Sequence, residues 1–145
     1  MRKPRTGYEI KKDATTKALR ALIASNGREE YQIHCAIVEM IRRSKLPGVV
    51  FWHTENERKR DYAQQSAFAA MGGLAGVSDI IVSTRDGRMC FIEVKSSAGT
   101  LSEDQESFLA AMELNGHRTA VVRSLVEAAH YLALWNVIRN VQVAA

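Results

Sequence analysis

The chain has 145 residues, a length that suits one domain, and 46% of them are hydrophobic, enough to build a real core. Its net charge of +4 is unevenly spread: residues 1–60 hold 14 of the 20 Lys and Arg against 7 of the 16 Asp and Glu, leaving +7 in front and −3 behind, which points toward a polyanion. Cys35 and Cys90 lack a CxxC partner and sit in apolar segments, so both are expected in the core, against a disulfide framework or zinc site; no apolar run approaches the roughly 20 residues of a membrane span and no signal-type stretch follows the basic start, so a soluble, cytoplasmic protein is expected.

The pattern predicts an α/β order. Asp13 or Thr15 caps a short helix to about Asn26, with Gly27 as its stop. A second helix spans about 28–44, because Ile33, Ala36, Ile37, Met40 and Ile41 recur at helical spacing and Pro47-Gly48 ends it. VVFWH (49–53) reads as a strand. ENERKRDYAQQSAFAAMGGLAG reads as a polar basic loop with a helical turn or two around 62–71 and a glycine-rich bend. Strands over 78–83 and 89–95 flank Arg-Asp-Gly. Ser102 and Gln105 form the capping box of a helix to Asn115, closed by Gly116. A strand over 119–122 and a helix capped by Ser124 and running to about Arg139 complete the chain. The basic clusters are RKPR at the start, Arg42, Arg43 and Lys45, and Arg58, Lys59 and Arg60; a charge run by itself is usually only a solvated face.

The segment GVSDIIVSTRDGRMCFIEVKSSAGTLSEDQ (76–105) carries the chemistry. With Arg85-Asp86-Gly87 as the loop and glycine in the left-handed position after a type I turn, Thr84 faces Arg88 and Asp79 falls opposite Glu93, on one face with Lys95. A two-residue loop would turn Asp79 away, because one step of register flips every side chain. That face also carries Ile81, Met89 and Phe91, and the other Ile80, Val82, Cys90, Ile92 and Val94, so the charges cluster at one end of a doubly covered hairpin. Two adjacent buried carboxylates favour a divalent cation, and hard oxygen ligands suit magnesium or manganese rather than zinc. The alternative is a structural ion pair of Lys95 with Glu93 or Asp79.

Ser-Asp before the strand IIV, a short turn and then FIEVK resembles the PD-(D/E)XK nuclease core. The fuller pattern GVSD…GR…FIEVKSSAGTLSEDQ…NGHRTAVVRSLVEA is similar to the VRR-NUC family, the virus-type replication and repair nucleases. The resemblance extends back through FWHTENERKR, like the family's H-x-x-N segment, to a helix bearing Glu30, and covers roughly 28–135. It implies a restriction-endonuclease-like core, a central mixed sheet flanked by helices, with a basic extension over 1–27 and the nuclease domain over 28–145.

Residue by residue, the resemblance implies Asp79 and Glu93 as metal ligands, the Val94 carbonyl as a further oxygen, and Lys95 as the group that orients or deprotonates the attacking water. Glu30 matches the acidic residue of the family's first core helix and reaches the metal through water. A glutamate in a first helical turn also complements the helix dipole, and Glu29 can do either job. Gln105 matches the family's helix glutamine and is equally a capping partner for Ser102. His53 and Asn56 match the family's loop, where they touch DNA or frame the site along with Arg58, Lys59 and Arg60; a strand-end histidine is otherwise more often structural. His34, His117 and His130 are left as surface or core residues, and GGLAG, lacking a following Lys-Ser/Thr, is a bend leading to Asp79 rather than a phosphate loop. Two departures stand out: Ser78 occupies the place of a usual proline and loosens the backbone before Asp79, and Glu57 puts a like charge near the DNA path.

The resulting expectation is a Mg2+- or Mn2+-dependent endodeoxyribonuclease, structure-selective on branched DNA in the manner of a Holliday-junction resolvase. It would work in replication, recombination or repair, as a homodimer, in a bacterial or phage-infected cell. The alternatives are a nuclease-like module that binds nucleic acid or a partner without cutting, and a structural dimerisation module. A surface for a second copy is the final helix, with Leu125, Ala128, Leu132 and Trp135 at helical spacing and VQVAA behind it, although that stripe equally suits packing on the sheet.

Overall fold

The computed structural model describes residues 7–55 and 60–140, with side chains in the first helix described at 17, 21 and from 24 onward. A 38-residue helix, α1 (Gly7–Ser44), leads into β1 (Val50–His53), the short α2 (Tyr62–Ala70) and the hairpin β2 (Ile80–Ser83) and β3 (Met89–Val94). Then follow α3 (Glu103–Leu114), β4 (Arg118–Val122) and α4 (Leu125–Leu134). The strands form one mixed sheet in the order β1-β2-β3-β4, antiparallel except for the β3–β4 pair, whose crossover is α3. This α/β arrangement, an open mixed sheet flanked by helices, is consistent with the restriction-endonuclease-like core. No helix among the described residues is long and apolar enough to cross a membrane.

The expected hairpin register is present. Gly87 has φ 80°, its N–H donates to the Thr84 carbonyl, Thr84 N–H meets the Arg88 carbonyl, and Ile80 pairs with Ile92 and Ser83 with Met89. Asp86 reinforces the loop by accepting from Arg88 N (3.0 Å) and by a 2.6 Å ion pair with Arg118 of β4. Alternation along the hairpin divides the core into two layers. Ile80, Val82, Cys90, Ile92 and Val94 pack with Ile37 and Ile41 of α1 and Ala128 and Leu132 of α4. Ile81 and Phe91 pack with Phe108 and Leu109 of α3 on the other side.

Four expectations are corrected. Neither the cap at Asp13 or Thr15 nor the break at Gly27 is present: α1 begins at Gly7 and runs through all three, and Gly27 does not take the left-handed backbone that a glycine stop uses. The last helix ends at Leu134 rather than near Arg139, because Asn136 turns left-handed (φ 56°) and Ile138 then bridges to Lys45 while Arg139 N–H donates to the Ser44 carbonyl. Cys90 is buried as expected, but Cys35 is exposed, since it falls off the stripe that buries Ile37 and Ile41. The stripe on α4 packs inward, with Ala128 and Leu132 fully buried, and α4 turns Val126 and Leu134 to solvent. VQVAA and the basic RKPR lie outside the described residues.

Candidate active site

The antiparallel hairpin brings the entrance to β2 and the exit of β3 to the same end of the sheet. The register is paired as far as Ile80–Ile92, and Asp79 and Glu93 follow one step beyond, with their carboxyl groups close enough to interact. Lys95, two residues on, returns to the same face and its Nζ lies 3.2 Å from Glu93 Oε1. Glu93 is 1% exposed, and Lys95 is also buried. The start of α3 closes over this face, and Gln105 has two functions that the sequence offered as alternatives. Its Oε1 accepts from Ser102 N (2.9 Å) in the capping box, while its Nε2 donates to Glu93 Oε1 at 2.6 Å. Gly76 permits the closure: with φ 81°, it approaches α3 so closely that a Cβ would fall 2.3 Å from the Asp104 carbonyl group. The glycine-rich segment thus joins the bend to the site.

Asp79 is held from several sides. Its Oδ2 accepts from Val94 N at 2.7 Å, and its carbonyl accepts from Thr54 N at 3.0 Å with His53 Nδ1 at 3.1 Å. The Thr54 hydroxyl donates to the Ser78 carbonyl at 2.5 Å. Thr54 thus ties down the carbonyls of both Ser78 and Asp79, where a proline at 78 would restrict the backbone by its ring. Ser78 itself is fully buried, and its hydroxyl has no hydrogen-bond partner.

Glu30 and Glu29 diverge. Glu30 Oε1 accepts from Ser96 N (3.2 Å) and lines the cavity containing Asp79, Glu93, Lys95 and Gln105, about 220 Å³ in volume. Glu29 bonds Ser97 through its N–H and hydroxyl and does not line that cavity. The loop receiving both is clamped by Arg123, whose Nη1 donates to the carbonyls of Ser96 and Gly99 at 2.6 Å each. Beside this cavity lies a second, about 340 Å³, which shares Glu30, Asp79 and Val94 and adds Tyr31, His34 and His53. The rings of His34 and His53 meet edge to face with centroids 4.8 Å apart. His34 escaped the sequence reading, although its place four residues after Glu30 puts it on the same helical face. A larger cavity of about 640 Å³ between Leu46 and α4 holds none of these residues.

Arg60, expected at nucleic acid, lies with its guanidinium 3.8 Å above the Phe68 ring, and its carbonyl accepts from Gln65 Nε2. Asn56, Glu57, Arg58 and Lys59 lie outside the described residues. His117 accepts from Met89 N, and His130 packs on Tyr131.

The electrostatics follow from burial. Desolvation above all, and then the Asp79 charge, push the Glu93 carboxyl up to about 7 against the opposing pull of Lys95. Desolvation also raises Asp79, opposed by the Val94 N–H and the charges of His34 and Lys95. Glu93 Oε2 is buried without a partner among the described residues. Among the described residues no group of three or more His, Cys, Asp and Glu side chains forms a metal cluster, so a cation here would rest on two carboxylates supplemented by other oxygens. The donors fit a hard divalent ion: they are oxygens, they repel each other, and one is an orphan a cation would satisfy.

An acid pair across a hairpin, a lysine two residues on and a glutamine from the covering helix thus meet at one end of a mixed sheet of the restriction-endonuclease-like kind. A family model described as the VRR-NUC domain matches residues 14–125, and the chain belongs to that family. The match begins inside α1, ahead of Gly27, and ends at the start of α4, whereas the sequence resemblance was placed over about 28–135. No curated protein and no solved structure matches the chain.

Proposed function

We propose that this nuclease-family protein is a divalent-metal-dependent DNA endonuclease that prefers branched DNA. The observation that carries the reading is the buried Asp79–Glu93 pair, with Lys95 and Gln105 both on Glu93 Oε1 and Oε2 left without a partner. Asp79, Glu93 and the Val94 carbonyl would hold a magnesium or manganese ion, with Glu30 assisting through water. The bound ion supplies Lewis-acid stabilisation of the charge that develops on the phosphate. Lys95 orients or deprotonates the attacking water. Gln105 keeps the Glu93 carboxylate turned toward the cation, so that its second oxygen remains available. His53 frames the site, and Asn56, Arg58, Lys59 and Arg60 supply contacts to the DNA backbone.

Cutting two strands of a branch symmetrically requires two sites, which a twofold homodimer supplies most simply. The outward Val126 and Leu134 of α4 offer apolar surface for it. The biological setting that fits is replication, recombination or repair in the cytoplasm of a bacterial or phage-infected cell. The test is cleavage of four-way junctions and plain duplex by purified protein in magnesium, manganese or EDTA. The reading expects metal-dependent cutting with the junction preferred. DNA binding without cutting in either metal would leave a nucleic-acid-binding module instead, and equal cleavage of both substrates would remove the branch preference.

A further inference from the structure

Gly27 is a residue the fold does not need. It lies in the interior of α1, where glycine is less favourable than alanine because of its backbone freedom. Its φ is not in the left-handed region, and among the described residues a Cβ placed on it would meet nothing within 4 Å. Neither conformation nor crowding explains its missing side chain. What Gly27 does is line the cavity of about 340 Å³ beside the candidate active site, on the α1 face that also carries Glu30, Tyr31 and His34, with His53, Asp79 and Val94 completing the wall. A side chain at 27 would enter open space at that cavity.

The chemistry of the walls selects the occupant. Tyr31 is 71% exposed although aromatic, so its ring offers flat surface to a ligand beside the two imidazoles, which pack edge to face on each other. Among the described lining residues no lysine or arginine is present to hold a phosphate inside this cavity. Its aromatic rings and oxygen acceptors favour an uncharged planar group with N–H donors. The volume lies within the roughly 300–1,000 Å³ of small-molecule pockets and is too confined for a duplex. Glu30, Asp79 and Val94 line both this cavity and the one around Glu93 and Lys95, so its occupant would be covalently close to the reacting phosphate.

We propose that this cavity receives one unstacked nucleobase of the substrate, next to the scissile phosphate, and that Gly27 keeps it open. The inference rests on the endonuclease reading and specifies its substrate: DNA with an unpaired or easily unpaired nucleotide at the cut. Stacking of a single base on aromatic side chains tolerates any sequence, since every base has a π-face, and a nucleotide at a branch is already partly unstacked.

The experiment compares wild type, Gly27→Ala and Gly27→Phe. Gly27→Ala should raise the melting temperature by roughly 1–4 °C, as expected for a glycine the helix does not need. Gly27→Phe fills the cavity; it should stay folded and keep its Mn2+ affinity by calorimetry, yet lose about tenfold in affinity for a four-way junction in EDTA. The second arm replaces the nucleotides at the junction one at a time by an abasic residue. Wild type should lose about tenfold in affinity at one position, and Gly27→Phe should not distinguish the two DNAs. Unchanged junction affinity in Gly27→Phe, loss of Mn2+ affinity in parallel, or indifference of wild type to every abasic position would overturn the proposal. Because binding in EDTA is read without cleavage, a protein that binds this way but never cuts refutes the endonuclease reading and not the base pocket.

Discussion

Glu93 carries the sharpest consequence at the level of single residues. Its carboxyl titrates near 7 in the folded protein, against the ordinary 4.5, because it is desolvated and faces Asp79. A carboxyl with a raised folded value disfavours the folded state once ionised, so the metal-free protein loses stability as pH rises from about 4.5 to about 7. Glu93→Gln removes that dependence. In EDTA, thermal melting of wild type should therefore fall relative to Glu93→Gln across this window, while Mn2+ affinity of wild type should rise across it as protons cease to compete. Parallel melting curves at every pH would contradict the assignment. Lys95 has a different signature. Lys95→Ala should reduce turnover at least about a hundredfold and leave DNA affinity within about threefold, since one lysine is a small part of the counterion-release contribution. Equal loss of binding and cutting would make Lys95 a phosphate anchor.

These residues were legible because turn chemistry alone decides the register: Gly87 at φ 80° and Asp86 on Arg88 N fix a three-residue loop, and Asp79 opposite Glu93 follows by counting. Gln105 was half legible, since its capping role is local and its bond to Glu93 is not. Thr54 and His34 were hidden, because their contacts cross from β1 and α1 to the residues around Asp79, and no short-range spacing encodes such contacts.

Among the elements, α3 and the bend before β2 depend on one close approach. Gly76 and Gly87 have nearly the same positive φ, 81° and 80°, but a Cβ meets nothing at 87 and collides with α3 backbone at 76. Gly87→Ala should cost about 1 kcal/mol from backbone strain alone and leave cleavage intact. Gly76→Ala should cost about 1–3 kcal/mol more and lose cleavage, because displacing the first turn of α3 draws Gln105 from Glu93. Urea denaturation and cleavage of the same samples check both, and equal costs would show that α3 does not rest on Gly76. Capping signals located α3 and the start of α4 well, since both are read from side chains three residues apart. The end of α1 at Ser44 was legible from Pro47-Gly48, but its continuity through Gly27 and the end of α4 were not. Gly27 carries a stop signal that the backbone does not use, and Asn136 stops α4 in a conformation that nothing in the periodicity announces.

For the whole molecule, the α4 stripe on which a dimer could have been argued is spent on the sheet, which leaves Val126 and Leu134 as its apolar outer face. Sedimentation at micromolar concentration should still give a dimer if two strands are cut symmetrically, and a strict monomer would contradict that part of the reading. The claim on which the rest depends is that Asp79 and Glu93 hold the catalytic cation. Asp79→Asn removes one charge and keeps the shape of the side chain, so the most direct measurement is the rate at which wild type and Asp79→Asn cut one four-way junction in magnesium, with circular dichroism showing both folded. Wild type should cut, and the variant should fall by at least about a hundredfold; a variant that cuts at the wild-type rate would contradict the account.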